Sequence, residues 1–232
     1  EMCIRDRFHS KNVYDVRSQV ELIHKYAPDK PILAIELCGM SEEALKAMRF
    51  RNFDVEGMNA DEEGRASLRI ALEACRRFAE VPEDWLVLIG PVGSGKTHLA
   101  AAVANRQLES RRPVCFATVP ELLDQLRDLY SQERKRSVLS VELLKTCPLL
   151  ILDDLRVDTT TAWGREKLYQ ILNYRYDARL ATLVTLTDPA LESLDERIRS
   201  RLLDPKISNP VPIGAPDYRG QARPSPRARR RR

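Results

Sequence analysis

Nowhere in the 232 residues does an apolar run approach the roughly 20 residues that cross a bilayer. No basic start, apolar centre and small-residue cleavage site mark a secretory signal. The expectation is a cytoplasmic protein without membrane association. Cysteine is sparse. Cys3, Cys38, Cys75, Cys115 and Cys147 are odd in number and scattered, with no CxxC, which argues for reduced core thiols over disulfides or a zinc site. His9, His24 and His98 share no ligand spacing. Charge of one sign is lacking too. The net charge is +4, and six arginines crowd the last ten residues, so the body is near neutral. Any nucleic-acid surface must therefore be a local patch. Glycine is scarce at nine residues, yet three of them fall within six positions, Gly90, Gly93 and Gly95.

What is present suits a globular domain, with 43% hydrophobic and 31% charged residues. Apolar spacing predicts amphipathic helices over Val13 to Tyr26, Asp61 to Glu80, Thr97 to Glu109, Pro120 to Tyr130, Ala162 to Arg179 and Leu194 to Leu203. Shorter helices are expected from Ser41 to Arg49 and from Val138 to Lys145. Strands are expected at Trp85–Ile89, Val114–Thr118, Pro148–Leu152 and Thr182–Thr187, with Val211–Ile213 confined to an edge by Pro210 and Pro212. PILAIEL, residues 31–37, reads equally as a strand or a buried helical turn. Strands alternating with helices imply a mostly parallel sheet covered on both faces.

The chemistry concentrates after Ile89. Gly90-Pro91-Val92-Gly93-Ser94-Gly95-Lys96-Thr97 spells GxxxxGK[ST], between a strand and a helix that begins near His98. Glycines let the backbone curl so that several N–H groups aim at one point, and the helix N-terminus adds its positive dipole end. Lys96 has the length to reach β- and γ-phosphates, and the Thr97 hydroxyl suits Mg²⁺. A second signal is LLILDD. Carboxylates at the C-terminal tip of a buried strand face the crevice where open α/β sheets bind ligands. Asp153 is a candidate Mg²⁺ holder and Asp154 a candidate orienter or base for the attacking water. The alternative is a pair of turn-forming aspartates. The two strand tips, taken as neighbours, converge on a magnesium-bound triphosphate. No NKxD tetrapeptide follows to read guanine.

FRNFD, GPVGSGKTHLAAAVAN, VPELLDQLR, LLILDDL, WGREKLYQILNYRYDARLATLVTLTD, ERIRSRLLDP and PDYR together resemble the DnaC/IstB-like branch of the AAA+ ATPases. That branch contains replicative helicase loaders and transposition helper proteins. The resemblance implies a P-loop α/β three-layer sandwich with a five-stranded sheet and no full C-terminal helical lid. It divides the chain into an N-terminal extension (1–49), an ATPase domain (50–219) and an Arg-rich tail (220–232). It implies ATP and Mg²⁺ as cofactors. It places Thr187 in the sensor-1 position, where many relatives have Asn. It makes Arg201 the arginine finger acting on a neighbouring subunit, with Arg197 as the second candidate, and it makes Arg219 the sensor-2 arginine. Solvated helix faces or surface ion pairs are the ordinary alternative for each arginine.

In that branch the helices between the second and third strands face single-stranded DNA. Here they hold Arg127, Arg134, Lys135 and Arg136, with Tyr130 for base stacking. The tail from Arg223 to Arg232 would attract phosphate backbones without reading sequence. The implied partners are a replicative helicase or a transposase, single-stranded DNA, and further copies of the chain. Residues 1–49 read equally as a partner-binding module or a loosely docked extension. A small-molecule P-loop kinase is the competing enzyme class, disfavoured by the LILDDL strand. A nucleotide-gated adaptor with little turnover is kept open by Thr187.

Overall fold

The computed structural model describes residues 34–37, 42–57, 60–131, 141–156 and 161–220. A run such as WLVLI, buried at every position, needs apolar cover on both sides. Six strands share one sheet: β1 (Ala34–Leu37), β2 (Trp85–Ile89), β3 (Val114–Thr118), β4 (Leu149–Asp153), β5 (Thr182–Leu186) and β6 (Ser208–Pro212). Their spatial order is β1-β3-β4-β5-β2-β6, and every pairing is parallel. The five expected strands are all present. PILAIEL resolves as a strand over Ala34–Leu37, which pairs with β3 from Ala34↔Val114 to Leu37↔Ala117 and adds a sixth. β6 lies at the opposite edge, where its prolines cost no ladder hydrogen bond. One expectation is corrected: β2 and β4 are not neighbours, because β5 lies between them.

The helices are α1 (Glu42–Ala47), α2 (Glu62–Glu80), α3 (Lys96–Glu109), α4 (Val119–Ser131), α5 (Val141–Thr146), α6 (Ala162–Asp177), α7 (Asp188–Ser193) and α8 (Glu196–Leu202). Alternation along each strand sorts the core into two layers. Leu86, Leu88, Val114, Phe116, Leu149, Ile151 and Leu183 face α2 and α3. Trp85, Val87, Ile89, Cys115, Ala117, Leu150, Leu152 and Val184 face α4 to α8. α2 starts where Asp61 Oδ1 accepts from the Gly64 N–H at 2.8 Å, a side-chain N-cap. α3 packs closely on the elements around it because Ala100 to Ala104, all buried, carry only methyl groups and one valine.

The single helix expected from Leu194 to Leu203 is instead the second of two. Thr187 caps α7, accepting from the Ala190 N–H at 3.3 Å, with Pro189 in the first turn, where a missing N–H costs nothing. Asp195 then accepts from the Arg197 N–H at 2.9 Å and restarts the chain as α8. The expected helix at Val13–Tyr26 lies outside the described residues. Among the described residues, no helix is long and apolar enough to cross a membrane.

Arg175 on α6 is wholly buried. Its Nη1 donates to the Leu144 and Cys147 carbonyls at 3.0 and 2.8 Å. Nη2 donates to the Ala181 carbonyl at 2.5 Å, and Nε to Thr182 Oγ1 at 2.9 Å. One guanidinium thus ties α6 to the end of α5 and the start of β5. Burial pushes its pKa down, with the Cys147 thiol opposing.

Candidate nucleotide site

β2 ends at Ile89 and α3 begins at Lys96, so the loop Gly90–Gly95 must reverse direction in six residues. Gly93 and Gly95 make this possible at φ +76° and +95°, a region that side chains disfavour. Both are also closely covered. A Cβ on Gly95 would lie 2.8 Å from the Phe53 ring, and one on Gly93 would meet the Asp217 carboxylate. Gly95 is the α3 N-cap residue, so the loop's amides and the helix dipole share one small volume, an anion-binding arrangement.

Lys96 is folded back across this loop. Its Nζ donates to the Gly90 and Pro91 carbonyls at 2.8 and 2.6 Å, and to Ser94 Oγ at 3.4 Å. Burial lowers its pKa, opposed by the carboxylates of Asp153, Asp154 and Asp188. Thr97, the next residue, donates to Asp153 Oδ2 at 2.9 Å. Asp153 is 3% exposed. Burial pushes its carboxyl up, while hydrogen bonds from Thr185 and Thr97 pull it down. Thr185 Oγ1 donates to Asp153 Oδ1 at 2.6 Å and accepts from the Asp154 N–H at 3.0 Å. Asp154 sits at φ +58°, and its side chain pairs with Arg156 at 2.7 Å.

The hydroxyl of Thr97 and the carboxylate of Asp153 form a hard-oxygen pair beside an ammonium group. That donor set suits Mg²⁺, which takes few protein ligands alongside phosphate oxygens and water. Among the described residues no three His, Cys, Asp or Glu side chains gather as a closed metal site.

Beside the loop is a pocket of about 370 Å³. Met48, Phe53 and Leu68 make its apolar side, Gly93 to His98 its phosphate-loop side, and Ala215 to Arg219 its rim. Phe53 meets the His98 ring edge-on at 5.3 Å, and His98 Nε2 lies 3.0 Å from the Arg49 carbonyl. The PDYR segment crosses the loop, with the Tyr218 N–H donating to the Gly93 carbonyl at 3.1 Å. Tyr218 OH reaches Asp54 Oδ2 at 3.4 Å.

Gly90 to His98, Asp153 and Arg219 therefore gather in one region, Asp154 following directly on Asp153. The Thr187 hydroxyl is engaged as the α7 cap. Arg201 lies against its own chain. Its Nη1 donates to the Arg197 carbonyl at 2.6 Å, its Nη2 donates to Asn173 Oδ1, and its guanidinium stands 5.3 Å from the Tyr169 and Tyr176 ring centres. Arg197 is more exposed, 4.3 Å over Tyr169 and paired with Asp195 at 3.0 Å. Arg127 bonds Thr161 Oγ1 at 3.2 Å and lies 5.9 Å from the Trp163 ring centre. Arg134, Lys135, Arg136, the Tyr130 side chain and the Arg223–Arg232 tail lie outside the described residues. Sequence reasoning missed Thr185, Asp188 and Asp217. None of the three carried a signal of its own, Thr185 being one of three threonines in TLVTLT.

Strand, glycine loop, helix and a carboxylate tip two strands away define a P-loop nucleotide-binding protein with an AAA+ type of fold. Residues 53–209 match the family described as IstB-like ATP binding protein. The chain belongs to that family. It is similar to the replicative helicase loader DnaI of Bacillus subtilis (strain 168), with 32% identity over 98 residues, 42% of this chain and 31% of that protein. It is also similar to the replicative helicase loader DnaC of Escherichia coli (strain K12), with 24% identity over 157 residues, 66% of this chain and 62% of that protein. The match thus spans less than two thirds of either relative. The crystal structure of the DnaC helicase loader superposes with a TM-score of 0.61, 22% identity, and coverage of 75% of this chain and 99% of that one.

Proposed function

We propose that this chain hydrolyses ATP in the presence of Mg²⁺ and uses the cycle to place a replicative helicase on single-stranded DNA. The observation that carries the reading is the Thr97–Asp153 pair at 2.9 Å, next to a glycine loop across which the Lys96 ammonium is folded. Thr97 and Asp153 would hold the ion, which neutralises phosphate charge when bound. Lys96 would exchange the Gly90 and Pro91 carbonyls for phosphate oxygens. Asp154 would orient the attacking water, and the pocket between Phe53 and Tyr218 would take adenine. Arg219 borders that pocket and would act on the phosphates in the same subunit. Arg201 or Arg197 would act on a neighbouring subunit, and Thr187 would relay its hydroxyl toward the γ-phosphate. Arg127 belongs to the surface proposed for DNA.

The partner rests on the helicase-loader relatives. A transposase is the second candidate, favoured by the IstB-like family match. The core test is phosphate release and binding of a fluorescent ATP analogue by the Lys96→Ala and Asp153→Asn variants. Lys96→Ala is expected to weaken binding, and both variants to lose turnover by at least about 100-fold, the scale of losing a transition-state charge contact. Wild-type turnover in either variant would refute the assignment. Affinity capture with ATP present then asks whether a helicase or a transposase is retained.

A further inference from the structure

The strand that bears the phosphate loop and the strand that ends in Asp153 are separated by β5, and one β5 side chain joins the two aspartates. Thr185 is 1% exposed. Its single hydroxyl proton goes to Asp153 Oδ1 at 2.6 Å, and its lone pair takes the Asp154 N–H at 3.0 Å. Its main-chain carbonyl accepts from the Leu155 N–H at 2.8 Å. Asp154 adopts φ +58°, a conformation that persists in a non-glycine residue only where its surroundings over-determine it. Two of the bonds flanking that turn come from Thr185. The other Asp153 oxygen is held by Thr97 at 2.9 Å. The carboxylate is thus fixed from the α3 side by one threonine and from the β5 side by another.

We propose that Thr185 is a positioning residue for the phosphate chemistry of this site. It orients Asp153 toward Thr97 and holds the turn that presents Asp154. The assignment rests on the ATPase reading above. Valine at this position fills the same space without a hydroxyl, leaving a buried carboxylate oxygen and a main-chain N–H without their partner. Serine keeps both bonds.

The experiment measures three quantities for Thr185→Val, Thr185→Ala and Thr185→Ser. They are the Mg²⁺ concentration that half-saturates binding of a fluorescent ATP analogue, the binding of the same analogue in EDTA, and phosphate release. Valine and alanine are expected to raise the Mg²⁺ requirement and lower turnover by about 10- to 100-fold, the usual effect of losing a group that orients a metal ligand. Binding in EDTA stays unchanged, and serine restores wild-type values. Should valine fail to give a folded far-UV spectrum, the smaller alanine carries the test. Folded valine or alanine variants with the wild-type Mg²⁺ requirement and turnover overturn the proposal alone. A wild-type chain that binds the analogue equally with Mg²⁺ and EDTA and releases no phosphate overturns the ATPase reading, and this proposal with it.

Discussion

The side chains of this site are held in place by hydrogen bonds that ligand binding must exchange. Lys96 donates to two carbonyls of its own loop, so its charge is already compensated and, on the proposed reading, phosphate would replace existing partners. The chain has a contrasting residue in Cys75, wholly buried on α2, whose thiol is pushed up to about 12 by burial alone. From its ordinary value of 9.0 up to about 12, the unfolded chain loses the thiol proton and the folded chain keeps it. Stability therefore falls as pH rises through that window, by about 1.4 kcal/mol per pH unit. Cys75→Ala should flatten this decline. Urea midpoints measured from pH 8 to pH 11 check it, and equal slopes in both proteins would count against it.

At the scale of elements, Arg175 ties α5, α6 and β5 together through carbonyls. Arg175→Met would leave several of those buried acceptors unpaired, at a cost of about 3–5 kcal/mol. For a domain of this size that lowers the melting temperature by roughly 10 °C, readable by calorimetry. Arg201 lies against both Tyr169 and Tyr176, bonds Asn173 and so joins α8 to α6, whereas Arg197, although it also stands over Tyr169, is exposed and paired with Asp195 beside it. Arg201→Ala should melt several degrees lower, and Arg197→Ala within about 2 °C of the parent. Equal melting temperatures would show that the stack does not hold α8. Strand and helix spans were legible because WLVLI, VCFAT and TLVTLT are short apolar runs between turn residues. Strand order was not, since parallel pairing is non-local and nothing in LLIL or WLVLI names its neighbour. Thr185 stayed hidden for the same reason: among the threonines of TLVTLT, only the position of β5 between β2 and β4 selects it. Helix α7 was missed because Asp188-Pro189 ends a strand and starts a helix with the same residues.

At the scale of the whole molecule, β1 covers the edge of β3, a strand buried along most of its length. A chain starting at Glu42 would leave that edge open, and exposed apolar edges recruit other chains. Light scattering should show more self-association than the full chain at equal concentration; identical profiles would count against a protective role. The pocket has a different dependence on the whole chain. One wall comes from Phe53 and the other from Tyr218 and Arg219, and the residues between them supply five of the six strands, β2 to β6. On the proposed reading, a nucleotide seated there would act as a removable staple between the Phe53 segment and the Tyr218 segment. At 100 times its dissociation constant it adds about 2.7 kcal/mol to the folded state. On that reading its departure would free the Phe53 and Tyr218 segments together, so that emptying the pocket and unclasping its two walls would be one event.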